Sequence, residues 1–189
     1  MARILVRPAL FAVITLSLLH LAGCSGFFGD QRGRADDLVA QANEAINEHN
    51  RLFEEARATY TEVKEDIENE EDPSGEAERI IQARDTMQAA RGRLLEAQES
   101  LAEVRDLNVD PEIQEYAGTF SDALETQLGA EDREVEFYRI LQEDPSLEDE
   151  RERALNLLDE VDDGYQRAEE AYGRAQELAD ANPELINGS

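Results

Sequence analysis

In three long stretches of this chain, large apolar residues return every seven positions, and a second row follows three residues behind the first. One stretch runs Val39, Ile46, Phe53, Tyr60 and Ile67, with Ala42, His49, Ala56 and Val63 between them. Another runs Ile80, Met87, Leu94 and Leu101, with Ala83, Ala90, Ala97 and Val104. The last runs Leu158, Tyr165, Tyr172 and Ala179, with Val161, Ala168 and Ala175. Spacing of three then four keeps one narrow stripe of a helix turned toward a partner. Sustained over about four heptads, it is the seam of helices packed at shallow angles. One row is bulky and the other mostly alanine, so backbones can approach closely while large side chains fill the neighbouring layer.

Proline divides these stretches. Pro73, Pro111, Pro145 and Pro183 each lie between apolar-periodic segments. Proline is tolerated in a helix's first turn and breaks its interior, so these positions mark boundaries. The predicted helices span 34–70, 76–107, 111–142 and 147–181. Asp110 is expected to cap the third, and Ser146 with Asp149 resembles an acidic capping box for the fourth. The third helix has the weakest face, with Ile113, Phe120, Leu124, Val135 and Tyr138 interrupted by Gly118 and Gly129. Each glycine costs roughly 1 kcal/mol relative to alanine, and a bend or fraying is expected near Gly129. Connections of about three to six residues make successive helices antiparallel neighbours. The expected fold is all-α, an antiparallel up-down-up-down four-helix bundle of long helices with coiled-coil-like packing. The alternative is a splayed pair of hairpins that completes its core by dimerising.

Forty-five acidic residues against 18 basic ones give a net charge of −27. Phosphate backbones would be repelled by such a body, so nucleic acid is excluded as a partner. Charge of this size can signal disorder, but here the acids are interleaved with regularly spaced apolar residues, which is the pattern of solvated helix faces.

The first two dozen residues have a different character. Arg3 and Arg7 precede an apolar run of about 14 residues, Ala9 to Ala22, too short for the roughly 20 that a membrane span needs. The run ends in Leu21-Ala22-Gly23-Cys24, and Cys24 is the only cysteine. This is the order of a secretory leader, with a cysteine directly after the small residues. The segment resembles the bacterial lipoprotein signal, the lipobox. That resemblance implies export, thioether attachment of a diacylglyceryl group to Cys24, cleavage before Cys24, and in many bacteria acylation of the new amino terminus. It divides the chain into a signal peptide (1–23), acylated Cys24 with a short linker (24–33), a helical domain (34–183) and a flexible tail (184–189). Loss of Arg3 and Arg7 with the signal takes the net charge from −27 to −29. Two or more acyl chains would hold such a body stably on a membrane, whereas one would not. Within the linker, Phe27 and Phe28 are candidates to dip into the lipid interface. With its thiol consumed, the chain retains no cysteine for a disulfide, a metal site or nucleophilic catalysis.

The candidate sites follow from shape and anchor together. If the first helix starts at the membrane, its far end and the start of the fourth helix lie away from it. Those distal connections carry Glu65, Asp66, Glu68, Glu70, Glu71, Asp72, Glu143, Asp144, Glu148, Asp149 and Glu150. They are either solvated helix ends or a tip that docks a basic partner or loosely binds cations. Asp159 to Glu170 imitates a calcium loop, but Val161 replaces a required ligand and belongs to the helical seam. His49 falls on the seam of the first helix; a half-exposed ring bonded to a neighbour is expected, the sharper alternative being a buried polar residue that fixes register or responds to pH. One histidine does not assemble a familiar zinc site, and no nucleophile–base pair or phosphate loop stands out. No catalytic residue, metal or cofactor is therefore expected. The body's plan is similar to the putative cell-wall-binding helical lipoproteins of bacilli through Phe137-Tyr138-Arg139-Ile140-Leu141 and the tyrosines Tyr165 and Tyr172. Those proteins are generally basic and this chain is acidic, so no binding residue carries over. The expected role is a membrane-anchored envelope lipoprotein, extracytoplasmic on the cell membrane or outer membrane, acting as spacer or docking module for another envelope protein. The alternative is a helical module holding an apolar molecule or peptide, admitted where Gly118 and Gly129 loosen the third helix.

Overall fold

The computed structural model describes residues 29–68 and 76–182. Among the described residues there are four helices and no strand: α1 (Gly29–Glu68), α2 (Ala77–Asp106), α3 (Pro111–Glu143) and α4 (Arg151–Ala181). Ion pairs record the antiparallel order. Arg34 near the start of α1 meets Glu103 near the end of α2 at 3.0 Å, and Arg79 at the start of α2 reaches Glu62 at 3.0 Å. Arg91 of α2 pairs with Asp132 of α3 at 2.7 Å, and Arg133 of α3 with Glu160 of α4 at 3.2 Å. The chain is an all-α, up-down-up-down four-helix bundle.

The heptad rows are the buried rows. In α2 the eight residues from Ile80 to Val104 named by the periodicity are the eight that are buried, with no others. In α1 the rows are buried from Val39 to Val63 except for half-buried Tyr60. In α4 the Val161 row is buried and extends back to Ala154, a third row of Leu157, Gly164 and Ala171 is buried beside it, and of the other expected row Tyr165 and Ala179 are buried while Leu158 and Tyr172 are half-buried. The widening has a cause in packing, because α4 lies very close to α3 there. A Cβ on Gly164 would stand 2.8 Å from the Cβ of Ala130, a distance real Cβ atoms do not occupy, so glycine is required for this approach.

Among the described residues, extended close approach of backbones is between consecutive helices, α1–α2, α2–α3 and α3–α4. Between α1 and α4, Phe53 and Tyr165 meet edge to face at a centroid distance of 5.9 Å. Two apolar clusters fill the interior. One, at the end holding the start of α1, includes Leu38, Ile46, Leu101, Ile113, Phe120 and Leu124. The other, at the opposite end, includes Phe53, Val63, Ile80, Met87, Tyr138 and Leu157.

Several local expectations are corrected. α1 begins at Gly29 and not at 34, so 29–33 is helix and not linker. Its first turn is tied to the α2–α3 turn by Arg32 and Asp110 at 3.7 Å. α3 is helical without interruption through Gly129, which points into open space where a missing side chain disturbs nothing. Gly118 is buried beside the Arg105 side chain, so it is a site of close packing and not of loosening. Asp110 does precede α3, with Pro111 in the first turn, but makes no side-chain cap bond. The fourth helix starts at Arg151 and not at 147. Ser146 and Asp149 form no capping box there. Asp144 serves instead: its carboxylate accepts the Ser146 hydroxyl at 2.8 Å and the backbone N–H groups of Asp149 and Glu150 at 3.0 and 3.3 Å. Leu147 between them has φ of 51°, a left-handed conformation that cannot continue a helix. Its side chain packs against the distal apolar cluster, which offsets the backbone strain. Cys24, Phe27, Phe28, Pro73, Pro183 and the predicted signal and tail lie outside the described residues.

Candidate functional site

The sequence directs attention first to the acidic end. Glu65 and Asp66 of α1 and the α3–α4 connection do lie at one end of the bundle, linked through Arg79 to Asp66 and through Arg84 of α2 to Gln142 of α3. Many of the acids there are engaged within the fold. Asp66 is bonded to Arg79, Glu143 to Arg139 at 3.2 Å, and Glu150 lies 3.6 Å from Arg153. Asp144 is consumed by its capping role, and the Ser146 hydroxyl and then the backbone N–H groups hold its carboxyl below the ordinary aspartate range. Glu65, Glu148 and Asp149 are exposed. Glu68 closes α1, and Glu70, Glu71 and Asp72 lie outside the described residues. Of the seven acids in this group whose side chains are described, four are exposed, and one of these, Glu143, is engaged by Arg139.

The most unusual chemistry lies at the waist, between the two apolar clusters. His49 is 1 % exposed, so the expectation of a half-exposed ring is overturned. Its Nε2 is hydrogen-bonded with Glu131 Oε1 at 2.7 Å, and its Nδ1 lies 3.0 Å from Asn50 Oδ1. Glu131, itself 0 % exposed, also accepts from Gln127 at 2.9 Å, and the Tyr172 hydroxyl donates to the Gln127 carbonyl oxygen at 2.6 Å. The second Glu131 oxygen, Oε2, is buried with no hydrogen-bond partner among the described residues.

One turn further along α3, Glu134 accepts four hydrogen bonds. Arg57 of α1 grips it through Nε and Nη2 at 3.2 and 3.1 Å, and the hydroxyls of Tyr138 and Tyr165 donate at 2.9 and 2.6 Å. A carboxylate has about four lone-pair positions, so this one is fully satisfied. Burial draws the Arg57 guanidinium toward deprotonation, but the charge of Glu134 outweighs it and holds the group cationic. Burial, reinforced by Glu134, raises the Tyr138 and Tyr165 phenols well above their ordinary value. Burial, with the charge of Glu131 behind it, does the same to Tyr172.

These α3 residues carried a sequence signal that period-seven reading reaches. Ile113, Phe120, Gln127, Glu134 and Leu141 form one heptad row; Ala117, Leu124, Glu131 and Tyr138 form the next. The polar members occupy core positions in mid-helix. Chemically, the waist joins three helices through charge-assisted bonds and fixes their relative height, since sliding any helix by one turn would leave buried charges unpaired. Among the described residues, no group of three or more His, Cys, Asp or Glu side chains has metal-holding geometry. No described helix is long and apolar enough to cross a membrane. No protein-family model matches this chain, and neither characterised proteins nor solved structures yield a match.

Proposed function

We propose that this chain is a lipid-anchored protein of the bacterial envelope whose helical body serves as a spacer or docking module for another envelope protein. The observation that carries the reading is Leu21-Ala22-Gly23-Cys24, with the sole cysteine at the lipobox position after a charged and then apolar leader. Because α1 is helical from Gly29, only four residues would separate it from acylated Cys24. The body would then sit close to the bilayer on the extracytoplasmic face. A 40-residue α1 would carry the opposite end about 60 Å outward. Exposed Glu65, Glu148 and Asp149 would be offered there to a basic partner.

The spacer or docking reading is favoured over a ligand-holding one by how the aromatic residues are used. Tyr60 packs on Phe137 and Tyr138 at centroid distances of 5.6 and 5.3 Å, and Phe120 on Tyr172 at 5.3 Å. Rings that would line a chamber fill one another's space. Replacing Cys24 with serine removes the atom that takes the lipid. In a bacterium with a lipoprotein pathway, Cys24→Ser should leave unprocessed precursor or release the body from membranes. Normal processing and undiminished membrane association of the variant would refute the assignment.

A further inference from the structure

A buried layer of charge is tolerated when its charges cancel, and at the waist the cancellation depends on one histidine. Glu134 is answered by the Arg57 guanidinium and by two tyrosine hydroxyls. Glu131 faces His49 at 2.7 Å, and both are almost fully buried. Neighbouring groups set the direction of the bonds around this pair. The Tyr172 hydroxyl occupies the Gln127 carbonyl oxygen, which leaves the amide N–H of Gln127 to donate to Glu131 Oε1. An oxygen already accepting from Gln127 is poorly placed to carry a proton of its own toward the ring. On the far side of the ring, Nδ1 lies 3.0 Å from Asn50 Oδ1, an oxygen that can only accept. Both ring nitrogens therefore face acceptors, and a neutral imidazole has a single N–H to offer.

We propose that His49 is held as the imidazolium, in a buried ion pair with Glu131 that makes the link between α1 and α3 proton-dependent. The layer then sets two positive groups, His49 and Arg57, against two negative ones, Glu131 and Glu134. The other groups around the ring leave that count unchanged. On α1 the ring packs on Phe53 at a centroid distance of 5.4 Å, and α4 supplies the hydroxyls of Tyr165 and Tyr172. The buried residues of α2 are all apolar. Taking one proton from the ring would leave Glu131 charged beside a neutral group. Glu131 Oε2 has no hydrogen-bond partner among the described residues, so the carboxylate depends on what Oε1 receives from His49 and Gln127. A buried charge that loses its partner is strongly destabilising, so deprotonation of His49 would loosen α1 from α3.

Nuclear magnetic resonance of the full chain in detergent, with the histidine nitrogens isotope-labelled, tests this. The chain has two histidines, His20 and His49, so the signals that persist in His20→Gln are those of His49. At about pH 7.5, where an unfolded histidine is mostly neutral, both His49 nitrogens should carry hydrogen in the wild type and only one in Glu131→Gln. Urea unfolding gives a second reading. A folded chain that keeps a proton its unfolded form releases loses stability as pH rises. The wild-type midpoint should therefore fall between about pH 6.5 and 8.5, and Glu131→Gln should lose that part of the dependence. A singly protonated His49 ring in the wild type would overturn the proposal, with or without a proton on the Glu131 carboxyl. So would a wild-type midpoint that is flat over this range, or a doubly protonated ring in Glu131→Gln. The wild-type readings decide the matter even where the variant does not fold.

Discussion

Glu134 collects hydrogen bonds from three helices, and Glu131 and His49 face each other one turn away with almost no exposure. Such a layer is costly to bury, and its return is uniqueness: truncating one member strands a charge at about 3–5 kcal/mol, so alternative registers are excluded. Tyrosine hydroxyls complete the layer, which makes alkaline pH the sensitive direction. Burial pushes Tyr116 up to about 12, and Tyr138, Tyr165 and Tyr172 are raised as well, the first two far above the ordinary value. For a phenol raised in the folded state, the protonated form is the stabilising one. Its contribution is full below the ordinary value of about 10 and is lost as pH rises through the folded values. At about pH 11 the folded chain should therefore show much less phenolate absorbance than the denaturant-unfolded chain, and the remaining phenolate should appear together with loss of helix. Full titration of all tyrosines near pH 10 with helical circular dichroism intact would contradict the buried network. At this scale His49 was visible as a seam residue, but its partners were not. Glutamate is so abundant here that only a strict seven-residue row separates Glu131 and Glu134 from the solvated acids around them.

At the scale of elements, the apolar rows were legible because burial and periodicity are one fact seen twice; α2 shows this without a single deviation. Helix ends were less so. Proline marks where a helix cannot continue, yet the start of α4 depends on Asp144 reaching forward to two backbone N–H groups and on Leu147 taking a left-handed turn. Neither choice is encoded in spacing. Glycines were the least legible, since composition does not say which face they occupy. Alanine substitution separates them. Gly164→Ala should destabilise the bundle by about 1–3 kcal/mol, because the new methyl group meets Ala130. The further change Ala130→Gly should recover much of that loss. Gly129→Ala, in open space, should stabilise by about 0.5–1 kcal/mol. Thermal or denaturant unfolding reads all three, and a Gly164→Ala protein as stable as the parent would mean that α3 and α4 do not approach as described.

For the whole molecule, the four-helix architecture followed from row spacing and proline placement, whereas the role of the acidic end did not follow from charge alone. Asp66, Glu143, Asp144 and Glu150 serve the fold, so a docking surface would reduce to Glu65, Glu148 and Asp149 with whatever the residues beyond Glu68 add. Replacing those three with Gln or Asn should weaken capture of a basic envelope partner in membrane pull-downs and flatten its salt dependence, because exposed charges are screened over about 10 Å at 0.1 M salt. An unchanged partner set and salt response would move attention to the flank. There, an open groove of about 800 Å³ between α1 and α2 is walled by Glu44, Glu48, Glu96 and Glu103 around Arg93. Both possibilities presuppose that the body is held at a membrane by its amino terminus. Intact-mass and amino-terminal peptide mass spectrometry of the wild-type chain, extracted from bacterial membranes, tests that claim most directly. The account predicts a chain beginning at Cys24 with a diacylglyceryl group on its sulfur. A mature chain that still begins at Met1, or one carrying an unmodified Cys24 thiol, would contradict it.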